Sequence, residues 1–173
     1  MGAAEEGPRR RPGGARGGAR GRPVNVAETG VGAARTIDLQ TFADPRGRLS
    51  VVEGGRHVPF EIRRVYYLYG VPDDALRGAH GHRRLRQLVV AVHGGFTVHL
   101  DDGFRRCAVT LDRPDQGLYI APMTWREIIG FTGGAVAMVL ASDHYDAGDY
   151  FHDYERFLLE ARAAAPPPEG GRV

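Results

Sequence analysis

The chain has no lysine: all 23 of its basic residues are arginine. Chemistry that needs a lysine amine, Schiff-base and pyridoxal catalysis above all, is thereby excluded. Cysteine is almost as scarce. Cys107 stands alone, so no internal disulfide can form, and a reducing, cytoplasmic setting is expected. No apolar run approaches the roughly 20 residues that cross a bilayer, so no membrane association is expected. The N-terminal arginines are followed by no hydrophobic stretch, which does not read as a secretory leader. A large excess of charge of one sign is missing too. A net charge of +2 does not call for nucleic acid.

What is present is enough chain for one domain with a real core. Residues 1–33 are Gly, Ala, Arg and Pro with few large apolar side chains, and read as a disordered tail. Residues 34–165 carry the pattern of a folded domain, and 166–173 read as a second tail. Within the domain, short apolar segments alternate with turn signals. Phe60–Tyr69 is rich in aromatic and β-branched residues and predicts one strand, with Arg64 and Tyr66 on one face and Val65 and Tyr67 on the other. Asp101-Asp102-Gly103 predicts a hairpin turn. Strands are expected at Gln87–Val92, Phe96–Leu100, Arg105–Leu111, Leu118–Ala121, Trp125–Phe131 and Ala135–Ser142. Such a series predicts a sandwich or closed barrel. Helical spacing over Asp149–Ala165 then predicts one amphipathic helix, capped by Asp146 or Asp149.

The stretch 77–95 holds the chemistry. His80 and His82 lie two residues apart, so in a strand both imidazoles project from one face. The order His80-Gly81-His82, four residues, Gln87, six residues, Gly94 resembles the first motif of the cupins, except that Gln stands where cupins have Glu. The second cupin motif should supply a histidine. Here that region, Gly117 to Glu127, has none and carries Arg126. A metal site needs three or four good donors. A neutral amide and a guanidinium are not among them, so a cupin scaffold without metal or other cofactor is expected. The histidines are then free for proton transfer. Arg46, Arg48, Arg64 and Arg77 are expected around the cavity, where an anion such as phosphate would neutralise them. Tyr66, Tyr119 and Trp125 are candidates to stack on a base or sugar. His57, His93, His99 and His144 read as surface or locally bonded residues, and Arg83, Arg84 and Arg86 as a solvated face.

Several ordered motifs between Thr36 and Leu159 resemble the dTDP-sugar 3,4-ketoisomerases, cupin-fold enzymes of deoxysugar biosynthesis. They are Asp44-x-Arg46-Gly47-x-Leu49, Pro59-Phe60-x-Ile62-x-Arg64-Val65-Tyr66-Tyr67 and Arg77-Gly78-x-His80-x-His82. Downstream come Leu100-Asp101-Asp102-Gly103, Gly117-Leu118-Tyr119, Trp125-x-Glu127 and Val139-Leu140-Ala141-Ser142-Asp143-x-Tyr145. The resemblance implies an all-β cupin or jelly-roll barrel with a C-terminal helix. It implies dTDP-4-keto-6-deoxyglucose as substrate, its 3-keto isomer as product, no cofactor, and a homodimer with an exchanged N-terminal strand. By the same resemblance His80 is the base at C3, and His82 and Tyr66 relay protons. Arg46, Arg48, Arg64, Arg77, Gln87, Tyr119, Trp125 and Arg126 are the expected substrate contacts. Arg126 stands where some members have His, which leaves a gluco or a galacto product open, and Arg48 bears on the same question. Three other readings stay in play: a 3,5-epimerase of similar keto-sugars, a metal-dependent cupin dioxygenase and a non-catalytic sugar-nucleotide-binding cupin.

Overall fold

The computed structural model describes residues 26–164. β1 (Val26–Glu28), β2 (Arg35–Asp38), β3 (Gln40–Asp44) and β4 (Gly47–Val51) lead to β5 (Arg64–Leu68) and β6 (Arg77–His82). β7 (Gln87–His93), β8 (Phe96–Asp101), β9 (Arg106–Leu111), β10 (Gln116–Ile120), β11 (Trp125–Ile129) and β12 (Val136–Ala141) follow. A 3-10 turn (Ala147–Asp149), β13 (Tyr150–Phe151) and one helix, α1 (Tyr154–Ala164), complete the chain as described.

Two antiparallel sheets face each other. The larger runs β1-β2-β10-β7-β12-β5 and the smaller β13-β6-β11-β8-β9. This is the expected all-β cupin barrel with its C-terminal helix. The interior is filled by inward residues of both sheets, among them Val89, Val98, Leu100, Leu118, Ile120, Phe131 and Val139. Burying each such Leu or Phe contributes on the order of 2 kcal/mol. β7 is apolar from Leu88 to Ala91, where it is covered on both faces, and Val92 beyond it is exposed. Val89 and Ala91 point into the barrel. Leu88 and Val90 pack outward under Val58 and Phe60 of the segment that precedes β5. The helix closes a third cluster, Phe157 and Ala161 against Trp125 and Phe151, on the outside of the smaller sheet.

Three boundaries differ from the sequence expectation. Ordered structure begins before residue 34: β1 pairs with β2, and Val31 in the turn between them is buried to 1% exposure. Residues 1–25 and 165–173 lie outside the described residues. The strand expected at Phe60–Tyr69 is strand only from Arg64 to Leu68, because its partner β12 ends at Ala141, opposite Arg64. Phe60 turns away to the outer cluster. The helix begins at Tyr154, not Asp149. Asp153 caps it, its Oδ1 accepting from Arg156 N at 2.7 Å. Tyr150 and Phe151 instead add an edge strand to β6, opposite His82 and Gly81.

Candidate active site

The site begins with an irregularity in β6. Arg126 lies opposite His80, but Glu127 lies opposite Gly78, so Ala79 is an extra residue in the strand. Gly78 and Ala79 both take positive φ, +83° and +52°. A Cβ on Gly78 would sit 2.9 Å from the Arg126 carbonyl oxygen, so only glycine fits. The bulge re-aims the strand beyond it. His80 then folds back so that its Nδ1 meets the Gly78 carbonyl at 2.9 Å.

His80 and His82 do share a face. Their rings meet edge to face with centroids 5.0 Å apart and planes at 85°. Tyr150 packs on both, 5.1 Å from His80 and 4.2 Å from His82. His82 is fully buried, with its Nδ1 3.2 Å from Asp149 Oδ2. A carbonyl and a carboxylate can only accept, so both rings carry their proton on Nδ1 and leave Nε2 as a lone pair. Nε2 of His82 is buried with no partner among the described residues. Burial, then the positive Arg126, hold both rings neutral, with His80 pushed down to about 4 and His82 lower still.

Two adjoining cavities, each about 320 Å³, meet at this point. The first holds Arg64, Tyr66, Arg77, His80, Gln87 and Arg126 over an apolar floor of Val89, Ile120, Ile128 and Val139. The second holds His82, Leu85, Asp143, Asp146 and Asp149. Arg64, Tyr145 and Tyr150 form their common wall. Arg126 is only 3% exposed, and its Nε and Nη2 have no partner among the described residues. Its Nη1 donates to the His80 carbonyl at 3.3 Å. Burial pulls its pKa down to about 10, so it is still a cation at neutral pH. Gln87 Nε2 donates to the Tyr66 hydroxyl at 2.7 Å, and burial raises the Tyr66 pKa above the usual phenol value.

The donor set does not suit a divalent metal. Two imidazoles face a neutral amide that is already bonded and a guanidinium that would repel a cation. Among the described residues no group of three or more His, Cys, Asp or Glu side chains is placed to hold a metal ion.

Of the residues singled out from sequence, His80, His82, Tyr66, Arg64, Arg77, Gln87 and Arg126 come together here. Tyr119, Trp125, Arg46 and Arg48 do not line these cavities. Tyr119 alternates with Leu118 and Ile120, which take the inward face, so its ring lies outside against Phe60 and under the Arg35 guanidinium. Trp125 alternates with Arg126 in the same way, packs on Phe157 and donates to Glu127 Oε1 at 3.2 Å. Arg46 and Arg48 belong to the β3–β4 hairpin, which is a sheet of its own and exposes both. Tyr150, Tyr145 and Asp149 were not singled out. Helical spacing hid Tyr150 and Asp149, because a two-residue strand is too short to show an alternation. Tyr145 closed the last of the family-like motifs and could have been found there.

Comparison with known proteins agrees with this geometry. The FdtA family, described as WxcM-like, C-terminal, matches residues 33–162. A TDP-4-oxo-6-deoxy-alpha-D-glucose-3,4-oxoisomerase of Aneurinibacillus thermoaerophilus is 41% identical over 123 residues, covering 71% of this chain and 88% of that protein. A mutant 3,4-ketoisomerase from Thermoanaerobacterium thermosaccharolyticum, solved with TDP-4-keto-6-deoxyglucose, superposes with a TM-score of 0.74 at 37% identity, covering 76% of this chain and 95% of that one. A TDP-quinovose 3,4-ketoisomerase from Campylobacter jejuni gives 0.73 at 40% identity, covering 75% and 99%. The chain belongs to the FdtA family, and with these relatives it is an isomerase.

Proposed function

We propose that the protein converts TDP-4-keto-6-deoxyglucose to the 3-keto isomer through an enediol. The observation that carries this reading is a pair of neutral imidazoles in edge-to-face contact, of which His80 shares its cavity with a buried guanidinium that has unpartnered N–H groups. A base takes the C3 proton, and the C–H electron pair becomes the C3=C4 bond. Tyr66 hands a proton to O4 as the carbonyl collapses and receives the one released from O3. The histidine pair returns a proton to C4, leaving a ketone at C3. Arg126 and Arg64 face the charge that builds on the oxygens between these steps.

The resemblance made His80 the base. His80 keeps that role, because it lines the cavity that holds Tyr66, Gln87 and Arg126. His82 is fully buried, lines the adjoining cavity and serves the relay. Arg77 and Arg64 are the cations for the diphosphate, and the Tyr145 and Tyr150 rings are the flat surfaces for the base or sugar. Gln87 acts through Tyr66.

The protein is proposed to work as a homodimer in the cytoplasm. The β3–β4 hairpin pairs with no other strand among the described residues and leaves Leu49 62% exposed. An exchange of N-terminal strands would bring Arg46 and Arg48 to the partner's cavity. No described helix is long and apolar enough to cross a membrane.

The test is incubation of the chelator-treated protein with TDP-4-keto-6-deoxyglucose, followed by proton NMR. Formation of the 3-keto isomer supports the reading. Tight binding with unchanged substrate would make the protein a sugar-nucleotide-binding module instead.

A further inference from the structure

We propose that Phe157 of α1 is a positioning residue of the site: its ring, seated on Gly81 between the two histidines, fixes where His80 stands relative to Arg126 and Tyr150. The kinetic consequence rests on the ketoisomerase reading, with His80 as the base, but the placement of the imidazoles does not.

Gly81 separates His80 from His82 and faces the other side of β6. Its φ lies outside the left-handed region, so its backbone would accept any residue. What demands glycine is the neighbourhood. A Cβ there would stand 3.1 Å from Phe157 Cδ2 and 3.3 Å from Phe151 Cδ2. Both phenylalanines are buried. The Phe157 ring therefore presses on the bare backbone of the histidine strand from outside the barrel.

The same ring reaches the two other strands that carry the site. It packs on Trp125 with centroids 5.7 Å apart, and Trp125 precedes Arg126. It meets Phe151 edge to face at 5.6 Å, and Phe151 follows Tyr150. One side chain thus touches the chain neighbours of the histidine pair, of Arg126 and of Tyr150. The helix that holds it is pinned at several points. Arg83, the residue after His82, pairs with Glu160 through both of its Nη atoms and lies over the Phe151 ring at 3.9 Å. The Tyr154 hydroxyl donates to Asp101 Oδ2 at 2.5 Å, and Arg162 Nε donates to the Gly103 carbonyl at 3.0 Å. Close-packed interiors transmit a displacement rather than absorb it. A shift of Phe157 therefore moves β6, β11 and β13 against one another. Proton transfer is sensitive to such movement, since a misplacement of about 1 Å costs on the order of 10²-fold.

A mutant cycle tests the contact. Gly81→Ala adds the methyl group that meets the ring, and Phe157→Val removes the ring atoms it meets. Each alone should lower kcat on TDP-4-keto-6-deoxyglucose by about tenfold or more, with KM changed by less than about threefold. Combined in one chain, they should restore kcat to at least about fivefold above that of Gly81→Ala. The milder Phe157→Leu should lower kcat by about threefold. Phe96→Val is the control for lost packing. Phe96 is buried at the opposite end of β8 from Leu100, which pairs with Arg126, so kcat should stay within about twofold of wild type. A second readout needs no substrate. In the full chain labelled with 15N-histidine, Gly81→Ala and Phe157→Val should each displace the His80 and His82 ring resonances, and the double variant should bring them back toward wild type. Additive losses and additive displacements in the double variant would overturn the proposal. So would a Phe157→Leu variant with wild-type kcat and unmoved resonances, or a Phe96→Val loss as large as that of Phe157→Val. If the wild-type protein leaves the sugar unchanged while the resonances follow the cycle, the positioning role stands and the ketoisomerase reading falls.

Discussion

Gln87 donates its side-chain amide to the hydroxyl oxygen of Tyr66 across 2.7 Å. The phenol proton is therefore directed away from Gln87 and into the cavity. Where a metal-binding cupin would place a carboxylate ligand, this chain places an amide bonded to the Tyr66 hydroxyl. Tyr66→Phe should keep the fold and lower kcat by about 10²–10³-fold, with a smaller change in KM. Gln87→Met should lose less, roughly tenfold, because the hydroxyl remains but is no longer aimed. Steady-state kinetics on both variants checks the order. Equal activity of Tyr66→Phe and wild type would remove Tyr66 from the mechanism.

Both histidines of the β6 pair are less basic than a free histidine. His80 is pushed down to about 4 by burial first, then by Arg126 and His152, with the Gly78 carbonyl opposing. His82 is driven the same way by burial, Arg126, His80, Arg64 and His152. The acid limb of kcat/KM should therefore lie near pH 4, not near the ordinary histidine value of about 6.5. Stability follows with a definite sign. Between about pH 6.5 and pH 4 the unfolded chain binds protons at these positions and the native protein does not. Stability is lost as pH falls through that window, at roughly 1.4 kcal/mol per pH unit for each histidine. Denaturant melts from pH 7 to pH 4 check this, and His80→Asn should remove part of the slope.

Arg126 trades stability for function. It is buried with two unpartnered nitrogens, and such a cation is costly to hold out of water. Arg126→Met should raise stability by about 1–3 kcal/mol and lower kcat/KM by at least about 10²-fold. Calorimetry and kinetics on one preparation test both halves. A less stable but fully active variant would contradict the account.

Gly78 ties the fold to the site. Its φ of +83° and the 2.9 Å approach to the Arg126 carbonyl leave no room for a methyl group. Gly78→Ala should cost about 2–3 kcal/mol and also lower kcat, because the bulge that aims His80 must shift. Gly55→Ala is the control. Its φ is +74°, but nothing lies within 4 Å of the added atom, so it should cost only about 1 kcal/mol of backbone strain and leave kcat unchanged.

The barrel was legible because its strands carry their signal in pairs of faces. Arg64, Tyr66 and Leu68 alternate with exposed Val65, Tyr67 and Tyr69 as their spacing required. The histidine pair was legible for the same reason. Tyr119 and Trp125 lie outside the two cavities because aromatic character says nothing about which face a residue takes, and the apolar Leu118, Ile120 and Ile128 take the interior. Asp149 was read as a helix cap because Tyr150, Tyr154 and Phe157 happen to fit helical spacing. Its true partners are the His82 ring and the Arg84 and Leu85 amides, more than 60 residues away, and no local pattern reports them. The bulge at Ala79 was hidden for a related reason, since it exists only relative to β11.

The central claim is that protons move between C3 and C4 of a 4-keto sugar through a solvent-exchanging enediol. The direct test is proton NMR of TDP-4-keto-6-deoxyglucose with the protein in D₂O. The account predicts a 3-keto product carrying deuterium at C4, and the C4–C5 coupling in that product assigns the gluco or galacto configuration. Deuterium at C3 and C5 with the ketone still at C4 would contradict it, and would make the protein an epimerase.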